Sequence, residues 1–160
     1  MVSTHHSSSI AETQAIAVET IADLKKTNII CLFGELASGK TTFVQGIGSY
    51  FGLSHLLSPT YVIARQYPLT HQQFDLLIHL DLYRLGSSDD LKALNLDEIW
   101  NNPRHLVIIE WPDRIASSLP ANHIDITIKQ LQDDSRQIII STPSWGYISI
   151  LLPPIKLLSK

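Results

Sequence analysis

Gly34-Glu35-Leu36-Ala37-Ser38-Gly39-Lys40-Thr41-Thr42 fits the phosphate-binding loop pattern G-x-x-x-x-G-K-[ST] at every position. The chemistry of that pattern is charge neutralisation. Backbone N–H groups of the loop turn inward around phosphate oxygens, and the N-terminus of the following helix adds its dipole. Lys40 would neutralise the β- and γ-phosphates, and the Thr41 hydroxyl would serve Mg²⁺. A glycine-marked turn with a chance lysine is the plain alternative; the flanks argue against it.

Phosphate binding becomes hydrolysis only with an acid near the metal or the nucleophile. Two acids follow apolar runs: Glu110 after Leu106-Val107-Ile108-Ile109, and Asp81 after Leu76-Leu77-Ile78-His79-Leu80. Leu106 to Ile109 reads as a strand buried on both faces, so Glu110 stands at the strand end where open α/β sheets bind ligands. That makes Glu110 the metal-side acid, unless it merely caps the next turn. At period two, His79, Asp81 and Tyr83 share one face and Ile78, Leu80 and Leu82 the other. The polar row either meets water on an edge strand or faces a nucleotide cleft. Ser58-Pro59-Thr60 lies after the loop helix, where nucleotide switches place a γ-phosphate-sensing hydroxyl; a plain turn is the equal reading. For Arg65 and Arg84 the default is a solvated or ion-paired side chain.

The elements that position these residues follow from pattern. Ile29 to Phe33 reads as a buried strand before the loop, and Thr41 to Phe51 as a helix fading at Gly52. Ser8 or Ser9 caps an expected helix to about Lys25, with Ile10, Ala17, Ile21 and Leu24 at helical spacing. Tyr61 to Tyr67 and Phe74 to Leu85 read as extended, and Asp89 to Trp100 as a short helix capped by Ser87 or Ser88. Ile124 to Ile128 and Gln137 to Ile140 predict a hairpin around Asp133-Asp134-Ser135. The order predicts an α/β, P-loop NTPase-like three-layer sandwich with a mixed parallel and antiparallel sheet. The expectation is a single domain over residues 1–160, with a core of about 10–140 and a tail of 141–160. The tail, with Trp145, Tyr147 and the Ile148 to Leu152 run, is expected to pack on the body as a strand or lid.

Composition narrows the classes. At 44% hydrophobic and 17% charged residues, the chain carries enough apolar material for a core. A net charge of -3 and a pI near 6.1 argue against strong nonspecific nucleic-acid binding. One cysteine, Cys31, allows no internal disulfide and reads as a buried small hydrophobe. The polar N-terminus, Met1 to Ser9, lacks a signal-peptide core, and no apolar run reaches membrane-spanning length. The expectation is a soluble, cytoplasmic protein with no membrane association.

Taken together, the phosphate loop, Ser58-Pro59-Thr60-Tyr61, His79-Leu80-Asp81-Leu82-Tyr83-Arg84-Leu85 and Ile109-Glu110-Trp111-Pro112 resemble the TsaE (formerly YjeE) family over about residues 10 to 140. These are small bacterial ATPases of tRNA threonylcarbamoyladenosine biosynthesis. The resemblance implies ATP and Mg²⁺ as cofactors and slow hydrolysis by the chain alone. It implies work with the TsaB–TsaD pair, which installs the threonylcarbamoyl group, and contact with tRNA only through that pair. It implies that Glu35, Leu36, Ala37, Ser38, Gly39, Lys40, Thr41 and Thr42 hold the nucleotide, with Thr41 and Glu110 at Mg²⁺. Lys40, Asp81, Glu110 and Thr60 carry the catalysis, Trp111 lies beside the site, residues Ile10 to Thr13 flank the base, and Arg136 borders the nucleotide from the hairpin. The chain departs from the common family loop G-D-L-G-A-G-K-T-T at Glu35 and Ala37. If position 37 takes a positive φ, Ala37 carries roughly 1 kcal/mol of strain.

Two other classes compete. A small-molecule kinase on the same scaffold needs an acceptor pocket and an arginine-rich lid, and only 12 Lys and Arg are present. A GTPase-like switch needs the N-K-x-D guanine reader, which is absent. The residues leave open whether Asp81 or Glu110 positions the attacking water.

Overall fold

The computed structural model describes residues 1–22, 24, 27–85 and 94–142. Among the described residues, seven strands form one sheet: β1 (Val2–Ser7), β2 (Ile29–Phe33), β3 (Ala64–Pro68), β4 (Leu76–Asp81), β5 (His105–Glu110), β6 (Ile124–Gln130) and β7 (Arg136–Ser141). Their order is β1-β7-β6-β2-β5-β4-β3. The central run β6-β2-β5-β4 is parallel. β3, β7 and β1 add antiparallel strands on both flanks. The mixed sheet is therefore as predicted, with its antiparallel strands at two edges.

Burial explains the parallel centre. β2 and the interior of β5 are apolar on both faces because both faces are covered, and β4 departs from this only at His79 and Asp81. On one face lie helix α1 (Ile10–Ala22) and helix α2 (Lys40–Tyr50), packed over Ile30, Leu32, Leu106 and Ile108. On the other lie helix α3 (Leu96–Trp100) and the 3-10 segment Pro112–Ser118, which bury Leu96, Trp100 and Ile115 against Ile29, Ile78, Val107 and Ile109. α1 and α2 meet at Gly46. A Cβ there would stand 2.7 Å from the Gln14 backbone and 2.8 Å from Ala17 Cβ.

Several expected elements shift. α1 begins as predicted: Ser9 Oγ accepts from Glu12 N at 3.1 Å, and Glu12 Oε2 accepts from Ser8 N at 2.7 Å. The Ser8 bonds hold the Glu12 carboxyl below its usual range. Ile10 faces solvent, and Thr13 takes the buried position, its hydroxyl bonded to Ser7 Oγ. Lys25, the expected helix end, lies outside the described residues, and Ala22 is the last residue of α1. Residues 61–63 are not strand but turn, because the Pro59 carbonyl accepts from both Val62 N and Ile63 N at 2.8 Å. β4 ends at Asp81, whose Oδ1 accepts from Tyr83 N and curls the chain away. The expected helix over 89–100 is seen as Leu96–Trp100; its proposed caps, Ser87 and Ser88, lie outside the described residues, as does the tail beyond Thr142. β1 was not predicted. Among the described residues, no helix is long and apolar enough to cross a membrane.

Candidate functional site

The parallel register brings three strand ends to one edge. Leu32 pairs with Glu110 and Asp81 with Glu110, so the exit of β2 into the phosphate loop stands beside both acids. Gly34 takes φ +147°, and a Cβ there would stand 2.4 Å from the Ile128 carbonyl oxygen, so only glycine passes between the loop and β6. Gly39 precedes α2 in a left-handed conformation and offers no side-chain cap. The first-turn N–H groups of α2 are thus left for an anionic ligand. Ser38 Oγ is buried without a hydrogen-bond partner, a polar atom that the loop conformation alone leaves unanswered.

Ala37 has φ +62°, so the strain expected of an alanine at this position is present. Ile63 and Trp111 also take positive φ, at 64° and 61°. Ala37 and Trp111 line the cleft, where such strain is often found, while Asn95 and Asp134 take positive φ away from it.

Lys40 is buried to 5% exposure. Its Nζ donates to the Gly34 carbonyl at 2.9 Å and the Glu35 carbonyl at 2.8 Å, and lies 4.3 Å from the Trp111 ring centroid. Burial holds its pKa below the usual lysine value, while Glu110, Asp81 and Asp113 pull it back up. The ammonium is folded against its own loop, on carbonyls that a phosphate could replace.

Glu110 and Asp81 have distinct surroundings. Glu110 Oε1 accepts from Thr41 Oγ1 at 3.2 Å and from His79 Nε2 at 2.9 Å. Asp81 Oδ2 accepts from Thr60 Oγ1 at 2.6 Å, and Thr60 Oγ1 lies 2.5 Å from Ser58 Oγ. His79 is fully buried on an interior strand, so its polar row is no wet edge. The row meets the cleft instead, through His79 on Glu110 and through Asp81. Thr41 and Glu110 fit a magnesium ion. Their oxygens are hard donors 3.2 Å apart, close to the roughly 2.9 Å that neighbouring corners of an octahedron of 2.0–2.1 Å bonds require.

A cavity of about 210 Å³ collects the loop residues Leu36, Ala37, Gly39, Lys40, Thr41 and Thr42 with Thr60, Asp81, Tyr83, Glu110 and Trp111. Nearly all the sequence-predicted residues meet there. Glu35 and Ser38 line a second cavity of about 610 Å³, which shares Leu36 and Trp111 with the first. Arg136 approaches from β7, its Nε 3.1 Å from where a Gly39 Cβ would stand. Ile10 to Thr13 line neither cavity. Arg84 stacks on the exposed Tyr61 ring at 4.8 Å, and Arg65 Nε is buried without a hydrogen-bond partner.

The larger cavity was not anticipated. Asp113, Thr127, Lys129 and Gln130 line part of it. Its signal was the alternation of β6, where Asp125, Thr127 and Lys129 oppose the buried Ile124, Ile126 and Ile128. His79 was placed on the right face without a partner.

The family model described as threonylcarbamoyl adenosine biosynthesis protein TsaE matches residues 7–138. The chain is 35% identical over 128 residues to the tRNA threonylcarbamoyladenosine biosynthesis protein TsaE of Bacillus subtilis (strain 168), covering 79% of this chain and 77% of that one. It is 36% identical over 127 residues to the protein of the same name from Rickettsia bellii (strain RML369-C), covering 78% and 85%. The crystal structure of Bacillus subtilis YdiB superposes with a TM-score of 0.73 at 28% identity, covering 89% of this chain and 86% of that one.

Proposed function

The chain belongs to the TsaE family of threonylcarbamoyl adenosine biosynthesis proteins, and we propose that it is the cytoplasmic, Mg²⁺-dependent ATPase that serves tRNA threonylcarbamoyladenosine formation by acting on a TsaB–TsaD pair. One observation carries the ATPase reading: Lys40, Thr41, Asp81 and Glu110 converge on one cavity at the ends of parallel strands. When bound, Mg²⁺ supplies charge neutralisation and a template for the phosphates.

The chain's own residues divide the remaining work. Loop amides and the α2 N-terminus bind the phosphates. Lys40 leaves the Gly34 and Glu35 carbonyls and meets phosphate oxygens. His79 holds Glu110 in place beside Thr41. Asp81 anchors the Ser58 to Thr60 loop through Thr60, which supports Asp81 as the acid on the water side and Glu110 as the acid on the metal side. Water attacks the γ-phosphate in line, and positioning with electrostatic stabilisation carries most of the rate. Turnover is slow alone because the Thr60 hydroxyl is engaged by Asp81 until a partner reorders the loop. Contact with tRNA runs through the TsaB–TsaD pair.

A Lys40→Ala variant should lose ATP hydrolysis by about 10²-fold or more and fail to support tRNA modification in cells lacking the native gene. Modification at the wild-type level would sink the reading. The 610 Å³ cavity beside the loop favours one other reading, a small-molecule kinase with its acceptor there. Among the described residues no arginine lines that cavity, and phosphoryl transfer to a metabolite in place of phosphate release would be its signature.

A further inference from the structure

Cys31, His123 and Asp125 form a cluster on the sheet that the nucleotide chemistry does not use. Cys31 is fully buried on β2, three residues before Gly34, and pairs directly with Asp125 on β6. His123 precedes β6 by one residue. One ligand-type atom from each lies within 4.8 Å of the other two.

Hydrogen placement at His123 is constrained. Its Nδ1 lies 2.6 Å from the Pro120 carbonyl oxygen, which can only accept, so Nδ1 carries the hydrogen. In the neutral ring Nε2 then presents a lone pair. That atom faces Asp125 Oδ1 at 3.1 Å. Oδ1 is buried and makes no hydrogen bond. With the ring neutral, the two lone pairs face each other at this distance and repel, and a cation shared by both, a proton or a metal ion, relieves that repulsion. The Pro120 contact is the kind of outer bond that orients a metal-binding histidine.

We propose that Cys31, His123 and Asp125 bind a divalent transition cation of the zinc class. The donor set is thiolate, imidazole and carboxylate, which suits zinc and disfavours magnesium or calcium. Three protein ligands leave a fourth position for water. The His123 and Asp125 side chains, 21% and 42% exposed, give the ion its path from solvent. Without the ion, burial and the Asp125 carboxylate push the Cys31 thiol up to about 12, so the thiol is inert and protonated. The ion would displace that proton to solvent and clamp β2 to β6 just before the phosphate loop.

The test needs no nucleotide, so its outcome is independent of the ATPase reading. The full chain is stripped with a chelator and titrated with Co²⁺, then Zn²⁺. The proposal predicts about one equivalent bound, visible ligand-field bands and a thiolate-to-cobalt charge-transfer band, all displaced by Zn²⁺. Cys31→Ser should abolish the charge-transfer band, and His123→Gln or Asp125→Asn should weaken binding by at least 10-fold. A His5→Gln/His6→Gln double variant controls for the N-terminal histidines of β1 and should bind as wild type. A missing charge-transfer band, or binding lost only in the His5/His6 variant, overturns the proposal. Should Cys31→Ser fail to fold by circular dichroism, the two partly exposed positions decide: folded His123→Gln and Asp125→Asn proteins with undiminished Co²⁺ binding would overturn it.

Discussion

Ala37 occupies a left-handed conformation at φ +62° in the middle of the phosphate loop. An L-residue there costs roughly 1–2 kcal/mol, and glycine would relieve that cost while losing about 0.5–1 kcal/mol to chain entropy. The first effect is the larger, so Ala37→Gly should raise stability by up to about 1 kcal/mol in urea denaturation. A clear loss would mean that the Ala37 methyl makes compensating contacts. Lys40 carries the opposite kind of strain, electrostatic and not steric. Its folded pKa lies below the usual 10.5, with burial the largest cause. Between the folded pKa and 10.5 the unfolded chain holds the proton that the folded chain has released. Stability therefore rises with pH across that window. Relative to a Lys40→Met variant, wild-type stability should climb as pH approaches 10.5 in paired urea titrations. A flat difference would contradict a desolvated ammonium. A bound phosphate acts against the same shift, since an anion beside Lys40 favours its charged form.

At the scale of elements, the contact of α1 with α2 decides how firmly the phosphate loop is seated. At Gly46 the Gln14 backbone atoms stand 2.7 Å from a virtual Cβ. Helix propensity favours alanine by about 1 kcal/mol, but a backbone overlap of this kind costs about 1–3 kcal/mol. Gly46→Ala should thus lower stability by up to about 2 kcal/mol, read by thermal denaturation. The strands that were legible in the sequence are those whose burial writes an apolar run, β2, β5 and, within the longer stretch Phe74 to Leu85, β4, and the β6–β7 hairpin around Asp133 to Ser135. β1 was not, because Val2–Ser7 is held by backbone pairing with β7 at an exposed edge, and Thr, His and Ser there show no burial pattern. The turn at 61–63 was illegible for a related reason: the Pro59 carbonyl overrides the strand propensity of Tyr61, Val62 and Ile63. Ile10 misled because a helix start can face solvent while keeping its apolar spacing.

For the whole molecule, the site is a product of topology more than of any one motif. The phosphate loop, Asp81 and Glu110 are far apart in sequence, and the parallel order β2-β5-β4 sets their carriers side by side. Motif spacing named the residues and set Glu110 on the metal side; the side-chain contacts add that Glu110 bonds to Thr41 and Asp81 to Thr60. The engaged Thr60 hydroxyl and the folded-back Lys40 fit a chain that hydrolyses ATP poorly until a partner acts on it. The decisive measurement is phosphate release from ATP and Mg²⁺, with the chain alone and with a TsaB–TsaD pair. A partner-gated ATPase predicts slow release alone and a rise of about 10-fold or more with the pair, as for a site completed in trans. No release under either condition, or release that the pair leaves unchanged, would contradict it.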